Sequence, residues 1–192
     1  VRIQQRMKQL NGSIGVAEIT LGTIHGICMR LLQEYTDKYG DYSVLETMKN
    51  IHFINRYFKQ IEMGNIKKLG TNVPMDRYFD TNRFLSICSI LDENQVNLEL
   101  VPNEIKIAYK NYRKLLNEYH YFDFSTIQSE FLHELREDQN FRHKLSEKIK
   151  LIIVDEFQDV NYLQNEIVKE LSRMGIQVVV VGDADQAIYQ FR

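Results

Sequence analysis

The chain has 192 residues, of which 44% are hydrophobic, 11% aromatic and 26% charged, with 9 Gly and 2 Pro. That balance excludes a disordered or collagen-like chain and allows a core that needs neither disulfides nor a structural metal. The 24 Lys and Arg against 26 Asp and Glu give a net charge of -2, so there is no chain-wide basic field and any nucleic-acid contact must be local.

The first ten residues, VRIQQRMKQL, are basic but lack the apolar run of a signal peptide, and no initiator Met is present. The chain therefore reads as starting inside a longer polypeptide. A strand is expected over Glu18 to Gly22, then a helix from about His25 to Tyr39 with Ile27, Leu31, Leu32 and Tyr35 on one face. Three further amphipathic helices are expected between Leu45 and Leu116, marked by Phe53 and Ile61, by Phe84 and Leu91, and by Ala108 and Leu115. Loop-like stretches separate them around Gly64 to Asp76 and around Pro102, with either Asn103 capping the third helix or Pro102 opening it. The mixed-charge run Glu134 to Lys150 predicts a solvated helix face. Cys28 and Cys88 stand far apart with no CxxC, which suits buried small residues in a reducing compartment.

The C-terminal part has a different texture. Leu151 to Val154 is a short, continuous, β-rich apolar run, as expected for a strand buried on both faces of a parallel sheet. Helical spacing over Val160 to Met174 stops at Gly175, and Ile176 to Val181 forms a second such strand. Strand, helix and strand predict a right-handed βαβ unit. The expected fold is α/β, a parallel sheet interrupted by a mainly helical inserted domain, with parts at 1–40, 41–120 and 121–192. Apolar runs as short as LIIV and VVVV fall far below the roughly 20 residues that span a bilayer.

Both C-terminal strands run into acids: Val154 into Asp155 and Glu156, Val181 through Gly182 into Asp183 and Asp185. Open parallel sheets bind ligands at the carboxyl ends of their strands. One carboxylate there can hold hydrated Mg²⁺ while its neighbour orients or deprotonates an attacking water, roles that suit Asp155 and Glu156 respectively. The plainer alternative is a solvated loop start.

The segments VDEFQD and GDADQAIYQFR together resemble motif II, the Walker B box, and motif III of the UvrD/Rep/PcrA family of superfamily 1 DNA helicases. LGTIHGICMRLLQEY is similar to the family's motif Ib region, with Thr23 and His25 matching and Ile24 standing where the family usually has Phe. HYFDFSTIQSEFL resembles the stretch that re-enters the first RecA-like domain, with Ser125 and Thr126 departing from the family's second acidic pair. RIQQRM resembles the tail of the helix after motif Ia, with Arg6 at the family's usual Arg.

The resemblance implies a partial RecA-like P-loop NTPase domain that uses ATP and Mg²⁺. Asp155 would coordinate the ion through water, Glu156 would be the general base and Gln186 would contact the γ-phosphate. Gln158 and Asp159 would belong to the network linking nucleotide to the moving domains. Tyr189 and Phe191 would lie towards single-stranded DNA, Arg192 would add a cationic contact, and Thr23 and His25 would reach its backbone. From the residues alone, Tyr189 and Phe191 also suit the core of a terminal helix, and His25 also suits a helix cap.

For the whole protein the resemblance implies 3′ to 5′ movement on single-stranded DNA and unwinding at duplex junctions. The setting would be cytoplasmic, in repair, replication or recombination, with proteins of repair or recombination as partners. A helicase subunit of a recombination nuclease, or a nonenzymatic protein-binding relative, are the other readings. None of the nine Gly is followed by Lys, so no GxxxxGK[ST] phosphate loop occurs, and the 192 residues alone are expected to be inactive.

Overall fold

The computed structural model describes residues 19–183 and 185. Residues 19–23 are irregular, so the strand expected over Glu18 to Gly22 does not form in its described part; no described strand lies beside it to complete a ladder. Helix α1, Ile24–Tyr35, starts at Thr23, whose extended backbone and Oγ1, accepting the Gly26 N–H at 3.3 Å, make the N-cap. It stops before the expected Tyr39 because that side chain is spent elsewhere. Tyr39 is fully buried, its hydroxyl 2.8 Å from the Glu134 carboxylate and 2.9 Å from Glu130.

Strand β1, Ser43–Val44, and the distant β2, Tyr121–Phe122, pair in parallel where the chain leaves and rejoins this first part. Between them, α2 (Thr47–Ile61), α3 (Thr81–Glu93) and α4 (Asn103–Glu118) enclose a cluster of their own that includes Ile54, Ile61, Phe84, Ala108 and Tyr112. Pro102 takes the cap position of α4 and its carbonyl accepts the Lys106 N–H, so proline opens this helix and Asn103 is its first residue.

Helices α5 (Phe124–Glu137) and α6 (Gln139–Lys148) meet at Asp138, whose carboxylate caps α6. The expected solvated face holds at Arg136, His143, Glu147, Lys148 and Lys150, which are exposed, and fails at Glu134. Glu134 is buried and accepts from Lys38 at 3.0 Å, Arg136 pairs with Glu166 at 2.9 Å, and Lys144 donates to the Tyr35 carbonyl. Charge alternation in the sequence reflects pairing to other helices as well as solvation.

Strands β3 (Leu151–Val154) and β4 (Gln177–Val180) flank α7 (Tyr162–Arg173) and pair in parallel, Leu151 opposite Gln177 through Val154 opposite Val180. Asn161 and Gln164 form a capping box at the start of α7, and Gly175, at φ +84°, follows its end. Helix α5 packs against α1, α3, α6 and α7, and the second hydrophobic cluster, including Leu32, Ile127, Phe131, Leu135 and Leu163, forms around it.

The two strands are not buried on both faces as expected. The pleat turns Ile152 and Val154 towards the α5–α7 core, while Ile153 is 63% exposed and Leu151, Val179 and Val181 are also exposed. Among the described residues, helices cover part of one face of this sheet, where Val180 is still 48% exposed, and leave the other bare. Cys28 and Cys88 are buried free thiols, in line with the sequence reading. Among the described residues no helix is long and apolar enough to cross a membrane. The architecture is α/β, mostly helical, with short parallel strands and helices α2–α4 placed between its two parts.

A buried polar network joins the two clusters. Asp123 caps α5 by accepting the Thr126 N–H at 2.8 Å and receives the Tyr112 hydroxyl of α4 at 2.6 Å. Arg113 of α4 bridges Asp92 of α3 at 2.9 Å and Glu130 of α5 at 2.5 Å. Burial pushes the Asp92 carboxyl up, and Arg113 together with the Tyr109 and Ser125 hydroxyls opposes that shift. Arg113→Met takes the cation from buried Asp92, while Glu130 keeps Lys38 at 3.9 Å. We expect it to cost about 3 kcal/mol, a fall of roughly 6–12 °C in melting temperature read by thermal denaturation against wild type.

Candidate active site

The site is built at the carboxyl ends of β3 and β4. The Val181 N–H bonds to the Val154 carbonyl at 2.8 Å, and the Phe157 N–H bonds back to the Val181 carbonyl at 2.9 Å. These two bonds carry the parallel ladder past the strands and press the turn after β3 onto the exit of β4. The VDEFQD segment and the Gly182–Asp183 exit of β4 are therefore held side by side by backbone hydrogen bonds.

Within that turn Asp155 and Glu156 are both exposed. One Asp155 carboxylate oxygen accepts the Glu156 N–H at 3.0 Å. Glu156 adopts a left-handed backbone, φ 52° and ψ 43°, from which the chain winds into the short 3₁₀ turn Phe157–Asp159. A non-glycine residue there carries a steric cost of about 1 kcal/mol. Gln158 Nε2 donates to Glu156 Oε2 at 2.6 Å, and Gln158 Oε1 accepts the Asp183 N–H at 3.0 Å. The Asp183 carboxylate in turn accepts the Asp185 N–H at 3.0 Å.

Gly182 lies directly against this turn. A Cβ at that position would stand 2.6 Å from Gln158 Oε1 and 3.2 Å from the backbone nitrogens of Phe157 and Gln158. A larger residue there would displace the Gln158 amide and crowd the two backbone nitrogens. The sequence shows Gly182 as the end of a strand; its second task, leaving room for Gln158, depends on a contact 24 residues away that spacing does not reveal.

The donor set suits a hydrated magnesium ion. Mg²⁺ keeps several waters and takes one or two carboxylates along with substrate phosphates, so a single exposed carboxylate at a strand end is adequate. Among the described residues no group of three or more His, Cys, Asp and Glu side chains forms a closed metal cage.

Thr23 and His25 belong to a separate set at the start of α1. Thr23, and not His25, caps the helix, so the cap reading of His25 is corrected. The His25 ring packs edge-on against Phe124 of α5, with centroids 5.1 Å apart and planes at 79°. Its Nδ1 is buried without a hydrogen-bond partner among the described residues. Burial moves the imidazole below its ordinary pKa, against the opposing charge of Glu93, and so favours the neutral ring. Phe124 itself is 45% exposed, a neighbour of His25 that sequence distance conceals. Arg6, Gln186, Tyr189, Phe191 and Arg192 lie outside the described residues.

The UvrD/REP helicase N-terminal domain matches residues 1–192. The chain belongs to the UvrD/REP helicase family. It is 28% identical to the "Probable DNA helicase II homolog" of Mycoplasma pneumoniae, 24% to the ATP-dependent DNA helicase Rep of Buchnera aphidicola subsp. Schizaphis graminum and 24% to the ATP-dependent DNA helicase PcrA of Bacillus subtilis. Each match takes in 99% of this chain but only 27%, 29% and 26% of the relative's own length. In this UvrD/REP chain the α/β arrangement is a partial RecA-like domain.

The left-handed Glu156 gives a test of site strain. Glu156→Gly relieves the backbone where Glu156→Ala does not, so the glycine variant should be the more stable of the two by about 1 kcal/mol in denaturant unfolding. Equal stability would show that the left-handed conformation is absent in solution.

Proposed function

We propose that residues 1–192 form part of an ATP-dependent DNA helicase, with 1–40 and 121–192 building the first RecA-like domain and 41–120 inserted as a helical domain. The observation that carries this reading is the juxtaposition of Asp155, Glu156 and the Gly182–Asp183 exit of β4, fixed by the Phe157 to Val181 hydrogen bond. Glu156 accepts the proton of the water that attacks the γ-phosphorus, the bond to ADP breaks, and Asp155 holds the hydrated magnesium that neutralises charge on the phosphates. Gln186, three residues beyond Asp183, senses the γ-phosphate. The phosphate-binding loop is not among these 192 residues, and hydrolysis requires the whole protein.

Thr23, His25, Tyr189, Phe191 and Arg192 contact single-stranded DNA, the aromatic rings stacking on bases without reading sequence. The neutral, partly buried His25 suits a hydrogen bond to the strand better than an ion pair. Closure on ATP and opening after hydrolysis move the whole protein 3′ to 5′ and separate duplex at junctions. The two buried free thiols agree with a cytoplasmic setting, and DNA repair, replication or recombination is the process served.

The test is DNA-stimulated ATP hydrolysis by the full-length protein. Glu156→Gln should lower kcat by about 10³-fold while ATP binding persists, the scale of a lost general base. Hydrolysis at the wild-type rate in that variant would overturn the assignment of Glu156.

A further inference from the structure

An exposed glutamate samples many rotamers, and a general base that wanders spends little time in line with its water. Glu156 is exposed, yet its carboxylate is engaged at 2.6 Å by one neighbour, the Gln158 amide. The other end of the same amide accepts the Asp183 N–H. The amide nitrogen can only donate and its oxygen only accept, so the two partners fix its orientation: NH₂ towards the carboxylate, oxygen towards the peptide N–H. Gly182 adds a steric condition, since any Cβ there would stand 2.6 Å from the amide oxygen.

Resting on the assignment of Glu156 as general base, we infer that Gln158 is a positioning residue that holds the Glu156 carboxylate and ties it to the peptide after Gly182. In this role Gln158 acts through Glu156. Its effect is to make the placement of the base depend on the placement of residues 182 and 183. These lead directly in sequence to Gln186, so a shift at the head of motif III reaches the base through one side chain. Glutamine is required because the role needs a donor and an acceptor on one short planar group. Glutamate keeps the acceptor, loses the donor and sets a second negative charge beside Glu156; alanine loses both contacts.

The experiment uses the full-length protein and follows DNA-stimulated ATP hydrolysis, with melting temperature as a control for folding. In Gln158→Glu and in Gln158→Ala, kcat should fall about tenfold or more with KM for ATP changed less than about twofold. Gly182→Ala and Gln158→Ala break the same link, so the double variant should be no worse than the poorer single one. A KM that rises in step with the loss of kcat, or losses that multiply in the double variant, would overturn the inference. Glu156→Gln, assayed in parallel, separates the two layers. If it hydrolyses ATP normally, the general-base assignment fails; if it is inactive while the Gln158 variants keep wild-type kcat, only the positioning role fails.

Discussion

A buried carboxylate at the head of α5 holds the described structure together. Asp123 caps the helix around which α1, α3, α6 and α7 pack, and the same side chain receives the Tyr112 hydroxyl from the core of the other cluster. Removing it would unsatisfy a helix terminus and a buried phenol together. Arg113, the next residue along α4 after Tyr112, repeats the logic, serving Asp92 and Glu130 from different helices. Two hydrophobic clusters that share little apolar contact are thereby given one relative arrangement. Directional bonds fix a register that area burial alone does not specify.

Much of this organisation was legible from spacing. The periodicity of Phe53, Ile61, Phe84, Leu91, Ala108 and Leu115 marked the three inserted helices, and LIIV with VVVV marked the parallel pair, because apolar period and β-branching act locally. Burial of those strands was not legible: sequence reports that Ile153 is apolar, but whether a helix covers it depends on tertiary neighbours. The same limit applies to Glu134. Its place in a charged run suggests solvent, and only the fold brings Lys38 and Tyr39 to it.

The candidate site divides along the same line. Asp155 and Glu156 follow a strand, and their place in VDEFQD marks them as candidates; the structure adds the left-handed turn at Glu156. Gln158 and Gly182 are separated by 24 positions, and their contact exists only because β3 and β4 are neighbours in register. His25 and Phe124 meet across 99 positions for the comparable reason that α1 packs on α5. Chemistry concentrated in one short motif is readable in one dimension, and chemistry shared between motifs is not.

The bare face formed by Leu151, Ile153, Val179 and Val181 has a consequence for handling these 192 residues by themselves. Among the described residues the sheet has two parallel strands, an apolar face with no helix over it and unpaired backbone edges, features that template strand addition by neighbouring molecules. Concentrated solutions of this segment alone would be prone to self-association and precipitation. Charged substitutions at Ile153 or Val179, which point away from the α5–α7 core, are the natural remedy for solubility because they leave the packed face of the sheet untouched.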